Sequence, residues 1–148
     1  MNTRQRRAWT AAFVIWLCVV WGHSLMQGDA SSAESSAFVD LVRPLFELFG
    51  LHDETLMSFI VRKTAHFTEY AILMFITHGM VRAWFGKTRA ALVTALAVWI
   101  LAPCIDETIQ LFIPGRAGAF RDSLIDMSGG ATGWCIASLV SMRRRKRA

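Results

Sequence analysis

Apolar residues gather in four long blocks along this 148-residue chain, each too long for a strand and too evenly apolar for a soluble amphipathic helix. Ala8 to Gly28 carries no Asp, Glu, Lys or Arg and holds Trp9, Trp16 and Trp21. Roughly 20 helical residues cross the hydrocarbon core of a bilayer, so this block is long enough for a first span. The second block runs from about Thr64 to Val81 with Glu69 inside it. The third, from Ala90 to Ile113, crosses Pro103, Asp106 and Glu107, and Pro103 is expected to bend it and free a carbonyl near its outer end. The fourth runs from about Asp122 to Met142. The pattern predicts an all-α protein, a four-transmembrane-helix bundle in a single domain over residues 1–148.

A cleaved signal peptide competes for the first block, with Ser31-Ser32-Ala33 as a passable cleavage site. Ala33 lies well beyond the apolar run and the tryptophans are bulky for such a leader, so a retained helix is the favoured reading; cleavage stays open. Between the first two blocks, Ala30–Ser36 reads as a flexible linker. Phe38, Leu41, Val42, Leu45 and Phe49 then recur at helical spacing, and Gly50 suits a C-terminal stop. Pro44 argues against one continuous helix and fits the first turn of a shorter one. A short interfacial helix in the first external loop is expected, with a simple packed loop as the alternative.

Charge orients this frame. All eleven acidic residues fall between Asp29 and Asp126. Eleven of the sixteen Lys/Arg instead occupy three places: Arg4, Arg6 and Arg7, then Arg82, Lys87 and Arg89, then Arg143 to Arg147. By the positive-inside rule those segments are cytoplasmic, which puts both termini on the cytoplasmic side. Composition agrees, with 54% hydrophobic residues and six Trp. The net charge of +5 sits beside apolar segments, which argues against a nucleic acid partner. Cys18, Cys104 and Cys135 lie in apolar stretches without CxxC spacing and read as small apolar side chains.

On this topology the remaining polar groups converge at the outer ends of the helices. Lys63, His66 and Tyr70 share a helical face, with Glu69 about 60° round from His66. Asp106 and Gln110 are one turn apart, Glu107 flanks them, and Arg116 follows in a Pro-Gly-Arg turn. Asp122, Asp126, Gly129 and Gly133 form one stripe. The glycines read as helix-packing positions at GxxxG spacing. Intramembrane ionisable groups cost about 2.5–3.5 kcal/mol each on insertion scales and persist by pairing or by facing a watered cavity. Five acids (Glu69, Asp106, Glu107, Asp122, Asp126) meet four bases (Arg62, Lys63, Arg116, Arg121), so a structural charge network is one reading.

Lys63-x-x-His66 with Glu69-Tyr70, Asp106-Glu107-x-x-Gln110, Pro-Gly-Arg116 and Asp122-x-x-x-Asp126-x-x-Gly129-x-x-x-Gly133 together resemble the VanZ-like family of bacterial membrane proteins, over about residues 62–133. Two positions depart from its pattern: the family usually has Asn where this chain has Asp126, and Arg121 lies outside it. The resemblance implies a small α-helical, multi-pass protein of the bacterial plasma (inner) membrane with a loose link to the cell envelope, the founding member being associated with low-level teicoplanin resistance. It supplies no reaction.

The leading expectation is a binding protein. Its outer-leaflet cluster would take an anionic lipid headgroup, a lipid-linked envelope precursor or another membrane protein, with Arg as a bidentate fork and Lys as a point charge. The alternative is an enzyme acting on a lipid-linked substrate, with His66 as general acid/base beside Asp106 or Glu107. A metal version of it would use His66 with Glu69, Asp106 and Asp122, but no HExxH or comparable spacing is present, so no metal and no cofactor is expected. A proton or ion pathway is disfavoured because the inner halves of the blocks are apolar. His23 and His52 read as solvated or interfacial, and His78, near the inner end, as snorkelling or donating a hydrogen bond.

Overall fold

Capping residues in the sequence mark several of the helix boundaries. A computed structural model describes residues 2–26, 28–115 and 120–145. It contains α1 (Thr3–Ser24), α2 (Gly28–Leu48), α3 (Glu54–Phe85), α4 (Arg89–Leu111) and α5 (Phe120–Arg145), and no strands among the described residues. α1 opens on a capping box: the Asn2 side chain accepts from the Gln5 backbone N–H at 2.9 Å while the Gln5 side chain accepts from Asn2 at 3.2 Å. Asp53 caps α3 by accepting from Thr55 and Leu56, and Thr88 caps α4 by accepting from Ala91. Past α2 the Gly50 and Leu51 N–H groups return to the Glu47 and Phe46 carbonyls with Gly50 at φ 74°, the Schellman arrangement.

Two expectations for the first external segment are corrected. Ala30–Ser36 is helical rather than a linker, and α2 runs through Pro44 as one helix of 21 residues. Ala and Glu favour helix and Ser opposes it only mildly, so a Ser-rich stretch without Gly or Pro can be carried by its neighbours. Pro44 forfeits one backbone bond, to the Asp40 carbonyl, and the helix stops four residues later at Leu48. Arg43 then ties α2 to α3 by bridging Asp40 at 2.8 Å and Glu54 at 3.0 Å. Hydrogen bonds donated to Asp40 and then to Glu54 hold the Arg43 guanidinium above its ordinary pKa. α3 also begins ten residues earlier than the second apolar block, because Asp53 supplies a cap the hydropathy pattern does not show.

α3 is the hub, packing on α5 most extensively and on α1, α4 and α2 as well. Its contact with α5 depends on glycine: a Cβ at Gly129 would run into the Phe67 backbone, and one at Gly133 into the Ala71 backbone. Tryptophans then clamp neighbours by reaching backbone carbonyls. Trp16 Nε1 donates to Glu69 at 2.9 Å, Trp21 Nε1 to Ala102 at 3.4 Å and Trp99 Nε1 to Met127 at 2.7 Å. α4 continues through Pro103, and the adjacent Ala102 carbonyl also accepts the Tyr70 hydroxyl at 3.2 Å.

Among the described residues, α4 is the one helix long and apolar enough to cross a membrane by length and composition. α3 carries Arg62, Lys63 and Glu69 and α5 carries Asp122 and Asp126, which lowers their hydropathy. Four spans are more than length and composition alone establish. The surface is nonetheless apolar on every helix, with Ile15, Leu41, Phe59, Val93, Leu101 and Leu139 each more than half exposed.

Candidate functional site

Where α1 and α4 end, the bundle buries a polar cluster built by α1, α3, α4 and α5. Asp106 and Asp126 are both at 0% exposure, and Gln110 and Ser24 are at 4% and 2%. The Ser24 hydroxyl donates to Asp106 Oδ1, and Gln110 Nε2 donates to Asp106 Oδ2 at 3.2 Å. His66 faces both acids, with Nδ1 3.9 Å from Asp106 Oδ2 and 3.4 Å from Asp126 Oδ1. Neither Asp126 oxygen has a hydrogen-bond partner among the described residues, nor does His66 Nδ1. The three residues could hold a metal ion, since each offers one ligand atom within 4.8 Å of the others.

Two further ion pairs frame this centre. Lys63 Nζ lies 2.5 Å from Asp122 Oδ1 and sits 5.4 Å over the Phe59 ring. His23 Nδ1 lies 2.6 Å from Glu69 Oε1, joining α1 to α3. Beside them opens a cavity of about 660 Å³ between α1, α2 and α3. Phe38, Val42, Leu45 and Phe46 of α2 and Ile60, Val61 and Ile72 of α3 make its walls apolar, while Arg62, His66, Glu69 and His23 give it a polar end. The Arg62 Nε is buried without a hydrogen-bond partner among the described residues.

A family model described as VanZ/LLP1 matches residues 9–141. The chain belongs to the VanZ/LLP1 family. Membership supports a membrane-associated, envelope-related protein, in keeping with the apolar surface. No curated protein and no solved structure compared with the chain matches it.

Within this VanZ/LLP1 chain, Lys63, His66, Glu69, Tyr70, Asp106, Glu107, Gln110, Asp122 and Asp126 all lie in α3, α4 and α5, but they do not form one continuous network. His66, Asp106, Gln110 and Asp126 meet at the centre. Asp122 is taken by Lys63, Glu69 turns away to His23, and the Tyr70 hydroxyl goes to backbone rather than to an acid. Glu107 is 7% exposed beside Asp106. Arg116 lies outside the described residues, and Arg121 is exposed. Two members come from α1 and are absent from the sequence-based set: Ser24, and His23, which is paired rather than simply solvated. Their position at the C-terminal end of the first apolar block, the end that antiparallel packing sets level with Glu69 and Asp106, is the signal that points to them. His78 is 8% exposed and packs edge-on against Trp134 at 4.8 Å, away from this site.

Proposed function

We propose that the chain is a multi-pass protein of the bacterial plasma membrane that binds an anionic amphiphile in the cavity between α1, α2 and α3. In this reading α1, α3, α4 and α5 cross the bilayer, both termini are cytoplasmic, and α2 lies along the outer interface. What supports the crossing is apolar exposure on all four helices and basic clustering at Arg4–Arg7, Arg82–Arg89 and the C-terminus. The bound molecule is a phospholipid or a lipid-linked envelope precursor, its acyl part against Phe38, Val42, Phe46 and Ile72 and its headgroup at Arg62. One observation carries the reading: an otherwise apolar cavity has the Arg62 side chain among its few charged lining groups. A guanidinium beside apolar walls favours an amphiphile whose anionic oxygen accepts a charge-assisted bond from it.

A direct test is native mass spectrometry of the purified chain with phosphatidylglycerol and with phosphatidylcholine. Charge-assisted hydrogen bonds contribute about 1.5–3 kcal/mol, so Arg62→Gln should weaken phosphatidylglycerol retention by roughly tenfold or more, and the exposed Arg121→Gln should not. Equal retention of both lipids by wild type and Arg62→Gln would remove the proposal. A second reading, an enzyme acting on the bound lipid, is favoured by His66 lining the same cavity with Asp106 and Asp126 behind it. An unchanged phenotype in His66→Ala at normal abundance would count against catalysis while leaving binding intact.

A further inference from the structure

We infer that His66, Asp106 and Asp126 form a binding site for one divalent first-row transition cation, with Zn2+ as its simplest probe. Three helices supply the donors: α3 gives the imidazole Nδ1, α4 gives Asp106 Oδ2 and α5 gives an oxygen of Asp126.

Geometry is the first support. Ligand atoms about 2.0–2.1 Å from a tetrahedral zinc are about 3.4 Å apart. His66 Nδ1 and Asp126 Oδ1 stand at 3.4 Å, and His66 Nδ1 and Asp106 Oδ2 at 3.9 Å. Those spacings match two edges of a coordination shell, the second after a small contraction. They do not describe hydrogen bonds, for His66 Nδ1 and both Asp126 oxygens lack such partners among the described residues.

Charge is the second. Two carboxylates at 0% exposure are costly to keep ionised without a cation beside them, since an unpaired buried ion is among the costliest features a fold can carry. Among the described residues no Lys or Arg lies within 4.0 Å of either; Lys63 is engaged by Asp122, and only His66 approaches. A divalent cation balances both carboxylates while leaving the imidazole neutral, the form in which histidine ligates.

Support from the surrounding shell is the third. Ser24 and Gln110 hold the two oxygens of Asp106 from behind, as outer groups commonly hold a ligating carboxylate. One nitrogen and two carboxylate donors without thiolate suit Zn2+, Mn2+ or Fe2+ better than copper(I), and supply too few oxygens for Ca2+. His66 is the member that also lines the cavity, so it is the member an ion arriving from that side meets first. The inference stands apart from the lipid reading, because Arg62 takes no part in it.

The experiment uses the full chain in detergent micelles, stripped with chelator and titrated with Zn2+, with metal content measured after desalting. One Zn2+ per chain is expected, falling at least tenfold in affinity in Asp126→Asn and in His66→Gln. The exposed Glu47→Gln and His52→Gln should bind as wild type does, which separates this site from surface zinc. Co2+ in place of Zn2+ should give a visible absorption band that Asp126→Asn abolishes. Wild-type protein that retains no stoichiometric Zn2+, or binding unchanged by Asp126→Asn, overturns the inference. Should either variant fail to fold, the wild-type stoichiometry and the Co2+ band decide it on their own.

Discussion

Replacing Gly133 by alanine tests whether the α3–α5 contact positions the whole site. A methyl group there is driven into the Ala71 backbone carbonyl, and one at Gly129 into that of Phe67. Backbone atoms cannot rotate aside, and an ordinary contact is about 3.5–4.0 Å, so the helices must part by more than about 1 Å. Overpacking of this kind costs typically about 1–3 kcal/mol. Two other glycines provide the scale. At Gly130 the nearest atoms are side-chain atoms, Trp99 Cδ1 at 2.9 Å and Met74 Cγ at 3.0 Å, which can yield. At Gly22 nothing lies within 4 Å, and alanine in a helix is favoured over glycine by roughly 0.5–1 kcal/mol. Thermal unfolding in detergent, followed by circular dichroism, should therefore rank Gly22→Ala at or above wild type, Gly130→Ala below it, and Gly129→Ala and Gly133→Ala lowest. Because α5 also carries Asp122 and Asp126, the last two should weaken Zn2+ binding as well. Gly133→Ala as stable as Gly22→Ala would refute the close-approach argument.

Ser24→Ala leaves Asp106 Oδ1 without its donor at 0% exposure, so unfolding free energy should fall by about 1–3 kcal/mol; no loss would mean that the hydroxyl is not a partner of Asp106. A double-mutant cycle with Lys63→Met and Asp122→Asn should give a coupling above about 1 kcal/mol, the side chains being 18% and 23% exposed. The Arg43–Asp40 pair, at 33% and 70%, should couple more weakly, and equal couplings would show that burial does not set their strength. Reporter fusions at the two termini and in the Gly86–Arg89 loop should all report the cytoplasm, and a terminus on the other side would break the four-span topology.

The parts of the fold that follow from periodicity and caps could be read from the chain, and those that depend on tertiary partners could not. Long apolar blocks announced α1, α3, α4 and α5, and Gly50 announced the end of α2. The helix through Ala30–Ser36 was hidden because Ser-rich composition resembles a linker whether or not an adjoining amphipathic stretch carries the helix onward. The stripe of Asp122, Asp126, Gly129 and Gly133 was visible as spacing, but spacing could not say that Asp122 turns to Lys63 while Asp126 turns to His66. Nor could it assign Glu69 to His23, since that pairing depends on how α1 rotates against α3.

The distribution of partners also bears on why these acids are present. A network that only ties helices together would place its best-paired charges deepest, where leaving one unpaired costs most. Here the order is reversed. The part-exposed pairs Lys63–Asp122 and His23–Glu69 are close, at 2.5 and 2.6 Å, while among the described residues the fully buried Asp126 has only His66, at 3.4 Å and without a hydrogen bond. Such an arrangement is poor glue. If Asp126 served cohesion, Asp126→Asn should destabilise the chain by about 3 kcal/mol or more, as breaking a buried pair does. If instead it is held ready for a cation, removing its charge relieves an uncompensated buried ion. Chelator-treated Asp126→Asn should then be as stable as wild type or more stable by about 1 kcal/mol, and should lose the stabilisation that Zn2+ gives wild type. A variant that loses stability to the same extent with and without Zn2+ would return Asp126 to a structural role.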